Sequence, residues 1–385
     1  MQSQREIGIY VHIPFCRQRC HFCAFYLEVA GTDRGGETAE GTTRIDAFRL
    51  ALTQEIDLYR RQDSIGSRPL QSIYFGGGTP TALPAVQLVS LLQLIQAAWP
   101  TEASTEITVE AHPSTVTPTD LKILLDAGFT RISFGAESMD ENDFAKIGRP
   151  GRVRDTETAV EAARAAGFVN INLDLMYGLP GQSLESWTNT VRSLLTLEPS
   201  HVSCYALTIE DGTRLSRNIA LNLVPETDDA LQIDMESAAE TLLAETGFIR
   251  YEISNYAKPG FACRHNLLYW TDGDYLGLGP SAQSYVQGVR FGNVADLTAY
   301  IDRLTARQLP ITDRTSLSDN EQQRDALVFG LRLLRGVPLH RVVDSAQHRT
   351  IHTLIEKGLL EADAELIRLT SLGRRYADTV AGELF

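Results

Sequence analysis

The chain has 385 residues, 43% of them hydrophobic and 22% charged, with a formal net charge of −14. That length suffices for two or three folded domains, and the acidity argues against a general phosphate-backbone binder, so no nucleic-acid partner is expected. No apolar run nears a spanning helix, residues 1–10 lack a signal-peptide pattern, and five cysteines with three clustered do not fit a secreted disulfide framework, so a cytoplasmic location is expected.

The first predicted strand covers 7–13. Directly after it stands Cys16-Arg17-Gln18-Arg19-Cys20-His21-Phe22-Cys23. Three thiolates so close together can hold three irons of a [4Fe-4S] cluster. A tetrahedral zinc site would want a fourth ligand. Three ligands leave one iron open to an exchangeable group. The segment 31–43 is rich in Gly, Thr and acidic residues and reads as a flexible loop beside the cysteines.

Strands and amphipathic helices then alternate. Further strands are predicted at 71–75, 106–111, 130–135, 170–176 and 201–207, with helices at 44–60, 83–98, 117–127, 153–166 and 184–197. Thr117-Pro118-Thr119-Asp120 has the form of an N-cap with Pro at the first helical position. Six β/α repeats imply a parallel sheet, whose spacing fits an open doubly wound sheet or a partial barrel equally. In either, ligands belong at the carboxyl ends of the strands. Gly76-Gly77-Gly78-Thr79-Pro80 sits at such an end, where glycine lets the backbone approach a ligand closely. Alone it marks only a turn. Glu110 ends the third strand, and Asp174 lies inside an apolar strand, where a charge is costly unless paired or ligand-facing. Arg149 follows a helix and is placed to neutralise a carboxylate.

Beyond 212 the pattern changes. A long helix is predicted at 228–246, a strand at 250–256, and short strands at 276–280 and 284–289. Between them lies Cys263-Arg264-His265-Asn266-Leu267-Leu268-Tyr269-Trp270. His265 is a candidate ligand for a metal or a haem iron, although an isolated histidine is more often structural. Cys204 and Cys263 read as buried thiols. The remainder is mostly helical, at 321–334, 348–357 and 372–380, with a hairpin from 358–360 and 366–369. Helices followed by a hairpin resemble a winged helix, with a docking role expected over DNA binding.

Tyr10-Val11-His12-Ile13-Pro14-Phe15-Cys16, the GGGTP loop, the stretch 174–180 and the segment from Tyr251 to Trp270 resemble the HemN-like branch of the radical S-adenosylmethionine (SAM) superfamily, and within it the HemW type. The resemblance covers nearly the whole chain. It implies an α/β fold: a partial (β/α)6 TIM-like barrel over 1–212, an α+β extension with an HNxxYW motif over 213–315, and a winged-helix-like end over 316–385. It implies a [4Fe-4S] cluster on Cys16, Cys20 and Cys23. It implies SAM contacts at Tyr10, Phe22, Gly77, Gly78, Thr79, Glu110, Glu137, Arg149 and Asp174. It also implies that His265 helps hold haem. The corresponding activity is haem chaperoning, with transient transfer to a membrane respiratory haem protein, an electron donor such as flavodoxin or ferredoxin, a possible homodimer and possible membrane association. Oxygen-independent coproporphyrinogen III dehydrogenases of the branch carry a further cysteine where this chain has Phe25. A HemN-like methyltransferase or cyclopropanase with two SAM molecules is the other alternative, so enzyme status stays open. The chain departs from the pattern at Glu137, usually Gln; at Gln283, where His is common; and in the longer loop 31–43.

Overall fold

The computed structural model describes residues 5–29, 39–342 and 345–385. The loop expected over 31–43 lies outside them as far as residue 38, and from Ala39 the chain is helical. Six strands alternate with helices: β1 (Ile7–Ile13), α1 (Ala39–Arg60), β2 (Leu70–Gly77), α2 (Ala85–Ala98), β3 (Thr101–Ala111), α3 (Pro118–Asp126), β4 (Arg131–Glu137), α4 (Glu141–Ile147), α5 (Val153–Ala166), β5 (Asn170–Tyr177), α6 (Leu184–Leu195) and β6 (His201–Ala206). All five neighbouring pairs are parallel and the strand order is 1-2-3-4-5-6. A doubly wound sheet reverses its order at a switch point, and this one does not, so the curved half-barrel is the arrangement adopted.

The two faces of these strands differ in chemistry. One face carries Ile9, Val11, Ile73, Phe75, Val109, Ile132, Phe134 and Leu173, all within the main core cluster. The helices cover it with stripes such as Leu88, Leu91, Leu92 and Ile95 at helical spacing. The alternate residues, on the opposite face, are Ser72, Tyr74, Glu106, Thr108, Glu110, Arg131, Ser133, Asn172 and Asp174. The interior of the barrel is therefore polar. The α3 start is as expected: the Thr117 side chain accepts from the Asp120 N–H and the Asp120 carboxylate accepts from the Thr117 N–H.

The sheet is continuous across residue 212. After α7 (Arg214–Ala220) and α8 (Asp229–Glu245) come β7 (Ile249–Arg250) and β8 (Asn255–Ala257), a hairpin where a single strand was expected. β8 pairs antiparallel with β6. A short helix, α9 (Arg264–Trp270), leads to β9 (Asp274–Leu278), which runs parallel to β1 with Gly8 opposite Tyr275. β10 (Gln283–Val286), β11 (Val289–Asn293), α10 (Leu297–Thr305) and β12 (Ile311–Ser316) follow, the strands joining antiparallel. The result is a 12-stranded sheet with extension strands on both edges of the half-barrel. Each edge of an open sheet presents unpaired backbone groups, and the extension covers both.

The C-terminal end has α11 (Asp319–Gly330), β13 (Val337–Pro338), α12 (Ser345–Glu356), β14 (Leu360–Ala362), β15 (Leu366–Leu369), α13 (Ser371–Arg375) and α14 (Ala377–Leu384). It has its own apolar cluster, including Leu327, Leu354, Ile367 and Val380. Arg250 bridges Glu236 and Glu240 of α8, and Arg374 reaches Glu240, which ties this end to the extension. Among the described residues no helix is long and apolar enough to cross a membrane.

Candidate functional site

The carboxyl ends of β2–β5 surround a cleft of about 500 Å³. Cys16, Cys20, Phe22 and Cys23 form one wall. Gly77, Gly78, Thr79 and Glu110 form the second, and Glu137, Arg149 and Asp174 the third. Eleven of the sequence-derived positions thus meet in one place: most end a strand or lie in the loop after it, Asp174 points inward from within β5, and Arg149 follows α4. Burial pushes all three thiols up, Cys20 to about 11 against the opposing pull of Arg149. Iron would displace those protons.

The residues present fit a three-thiolate cluster. A Cβ on Gly78 would come within 2.7 Å of the Phe15 carbonyl and 3.1 Å of Cys16 Sγ, so only glycine lets the loop lie against the cysteine segment. Thr79 Oγ1 is 3.3 Å from Cys16 Sγ. Among the described residues no three His, Cys, Asp or Glu side chains converge on a single ion. A cubane needs no such convergence, since each thiolate takes a different iron.

Glu110 sits behind the glycine loop. Its carboxylate accepts from Tyr74 O–H at 2.8 Å, and burial pushes its pKa up to about 7. Gly76 leaves room for it: an added Cβ would be 3.1 Å from both Glu110 oxygens and 3.0 Å from the Tyr10 ring. Tyr10 therefore lies behind the cleft, bonded to His12 Nδ1 at 3.2 Å, and is not on its wall. Asp174 accepts from Ser133 Oγ at 3.1 Å and from Asn172 Nδ2 at 2.8 Å.

Glu137 has a left-handed φ of 60° at a register shift between β4 and β5. That conformation is uncommon for a residue with a side chain, and the bulge re-aims the carboxylate into the cleft. It pairs with Arg149 at 3.3 Å, both side chains nearly buried. Arg149 also donates to the Gly135 carbonyl and lies 3.9 Å from Cys20 Sγ. The acid that departs from the family pattern thus already occupies the arginine expected to meet a SAM carboxylate.

Sequence reading did not single out Ser133, His112, Ser114 or Tyr205, which also line the cleft. The period-two alternation along β4 and β6 puts Ser133 and Tyr205 on the inner face, and was the signal available. His112 is partly buried, and desolvation of its ring, with Arg149 nearby, lowers its pKa to about 3.

His265 lies elsewhere. It is 1% exposed, on α9, with Nδ1 2.8 Å from Ser72 Oγ and Nε2 2.9 Å from Tyr269 O–H. Its ring stacks on Tyr74 at 5.0 Å, and burial lowers its pKa to about 3. As placed, neither nitrogen is free to meet a metal. Glu106 accepts from the backbone N–H groups of Arg264 and His265, both at 3.1 Å, and from Cys263 Sγ at 3.4 Å, which fixes α9 against the barrel interior. Cys204 and Cys263 are buried thiols, each pushed up to about 12 by burial. Gln283 is exposed and lines a separate groove.

Residues 10–194 match the model of the radical SAM superfamily, and residues 317–376 that of the HemN C-terminal domain. A protein of Bacillus subtilis (strain 168) named "Heme chaperone HemW" is 34% identical over 97% of this chain and 97% of its own. A protein of the same name from Haemophilus influenzae is 32% identical over 100% of this chain and 99% of its own. The solved structure of Escherichia coli coproporphyrinogen III oxidase (HemN) superposes with a TM-score of 0.85, covering 99% of this chain and 90% of that one, at 23% identity. At that identity the match shows the fold alone.

Proposed function

Because the chain belongs to the HemW-type branch of the radical SAM superfamily, we propose that it is a haem chaperone that binds a [4Fe-4S] cluster and SAM. The observation that carries the cofactor half is the convergence of three thiols, a glycine loop and three carboxylates on one cleft. Haem carriage comes from the full-length relatives, which bear that name.

When bound, the cluster supplies an open iron for the amino acid end of SAM and one electron for its sulfonium. Cys16, Cys20 and Cys23 would hold it. The chain's own groups supply the rest. Gly77 and Gly78 give backbone carbonyl groups at the strand end for an ammonium, their N–H groups being engaged by Glu110 and by the Ile13 carbonyl. Glu110, held by Tyr74, offers an ionised carboxylate to a cation or hydroxyl, and a nearby positive charge would draw its proton off. Asp174, oriented by Ser133 and Asn172, is preorganised as an acceptor for a ribose hydroxyl. Arg149 can meet a SAM carboxylate only by sharing itself with Glu137.

Phe25 stands where decarboxylating members of the branch carry a further cysteine. It is 68% exposed on the cleft lip and offers no thiol. His265 would ligate iron only by giving up its bond to Ser72 or to Tyr269. Delivery to a respiratory haem protein, an electron donor and self-association extend the same reading to partners. Domain limits near 212 and 316 are part of it too.

The test is anaerobic cluster reconstitution followed by haem titration and gel filtration. Haem that co-elutes stoichiometrically, with only slow SAM turnover, is the expected result. No haem retention, or S-adenosylhomocysteine formed at a catalytic rate, would overturn the chaperone reading.

A further inference from the structure

The outer face of the cysteine loop carries charge that the cleft does not use. Residues 14–27 hold two arginines and no acid, in a chain of net charge −14. Arg19 is exposed, and its guanidinium donates to the carbonyls of Cys23 at 3.2 Å, Phe25 at 3.1 Å and Leu27 at 3.2 Å. Three neutral carbonyls fix a guanidinium in place and leave its charge uncancelled. Arg17 is exposed too and reaches only the Ser114 carbonyl, at 3.5 Å.

Two neighbouring turns add to this face. At Gly151 an added Cβ would lie 3.7 Å from the Ser114 side chain, which brings exposed Arg152 beside Arg17. The Leu215 N–H donates to the His21 carbonyl at 2.8 Å, which brings exposed Arg214, at the start of α7, against the loop from the other side. Among the described residues none of these four arginines forms an ion pair, whereas Arg68, Arg149, Arg250 and Arg290 each do. The nearby acids Asp155 and Glu141 are turned to the backbone N–H groups of Arg152 and Val153. Glu210 and Asp211, before α7, border the face, and Phe25 is its exposed aromatic.

We propose that this face is the docking surface of an acidic one-electron carrier protein. This assignment rests on the cofactor reading above, because sulfonium cleavage consumes one electron and the three thiols that would hold the cluster line the inner side of the same loop. One electron leaves the carrier, which is oxidised, and reduces the cluster; no bond forms and no proton passes between the proteins. The unpaired arginines steer a negatively charged partner to this one place on an otherwise acidic chain, and they set orientation and on-rate more than affinity. Electron-transfer encounters are small and short-lived, which suits a few charges around a single exposed ring.

The experiment compares the full chain with the double variant Arg17→Glu/Arg214→Glu, with circular dichroism and iron content as controls for fold and loading. Stopped-flow bleaching of the reconstituted cluster by a reduced acidic flavodoxin is expected to slow by about tenfold as ionic strength rises from about 0.02 to about 0.5 M, and by about tenfold in the variant at low salt. Photoreduced deazaflavin, which needs no docking, is expected to bleach both chains at one rate. Oxidised flavodoxin titrated into the iron-free chain is expected to bind the variant about tenfold more weakly. A rate and an affinity indifferent to salt and to the substitutions overturn the docking surface, while bleaching by deazaflavin leaves the cofactor reading standing. Binding to phosphatidylglycerol vesicles with no affinity for flavodoxin also overturns it and gives the face to a membrane. A chain that takes up no iron overturns the cofactor reading and the docking surface together.

Discussion

The two ends of the barrel interior use similar residues to opposite effect. At the α9 end, His265, Ser72, Glu106 and Cys263 satisfy one another, and both imidazole nitrogens are engaged. At the cleft end, three thiols border open space with few internal partners, while Glu110 keeps only Tyr74 among side chains and Arg149 is held by Glu137. The lesson concerns how a buried polar residue is read. Where its partners are complete it is holding the fold together, and where they are missing it is waiting for a ligand.

The largest contrast comes from the cysteines. Replacing Cys16, Cys20 or Cys23 with Ala should abolish cluster retention, measured as iron per chain after reconstitution, while the apo fold persists. The fold does not depend on these side chains, since β1 and the core beneath it are apolar. Loss of folding with the cluster would break the comparison.

His265→Ala should do the reverse. It removes a fully buried ring and strands the Ser72 and Tyr269 hydroxyls, for roughly 2–4 kcal/mol of stability. Urea unfolding measures it, and iron content should not change. An unaltered midpoint would show that the α9 end is less tightly built than its hydrogen bonds indicate.

Glu110 sharpens the cleft side through pH. Burial raises its pKa from the ordinary carboxylate range to about 7. The folded, ligand-free protein therefore binds this proton more tightly than the unfolded chain. The stabilising contribution is full in acid and is lost as pH rises to about 7. A cationic ligand favours the ionised form, so SAM affinity should rise with pH up to about 7 and then level off. Glu110→Gln should flatten that profile and weaken SAM by about tenfold at pH 8, or about 1.4 kcal/mol. A variant that keeps the wild-type slope would move the titration to another group.

The smallest effect is expected at Glu137. Burial raises its pKa against the pull of Arg149, so a neutral amide of the same shape costs little there. Glu137→Gln should change stability by about 1 kcal/mol or less and free Arg149 enough to tighten SAM by about threefold. Calorimetric titration measures both arms. Weaker SAM binding would mean that Glu137 itself contacts the ligand.

The sequence by itself determined the local elements and the chemistry at their ends. β1 and α5 fall where their patterns put them, because periodicities of 2 and 3.6 follow from which face is buried. The cysteine spacing and the glycine loop were legible because each lies within a few residues of chain. Tertiary structure decided the rest. β9 joins β1 across more than 260 residues because the parallel edge of the half-barrel needs a partner, and no local pattern encodes which strand supplies it. The hairpin at β7 and β8 and the helix α9 were missed for the same reason: both are short and held by contacts from elsewhere, β6 and Glu106 respectively. The left-handed Glu137 needed the bulge between β4 and β5, and His265 became an interior residue only because Ser72 and Tyr269 meet it there. A residue's type sets what it can bond, and the partners folding brings to it settle whether that capacity is spent inside the protein or left for a ligand.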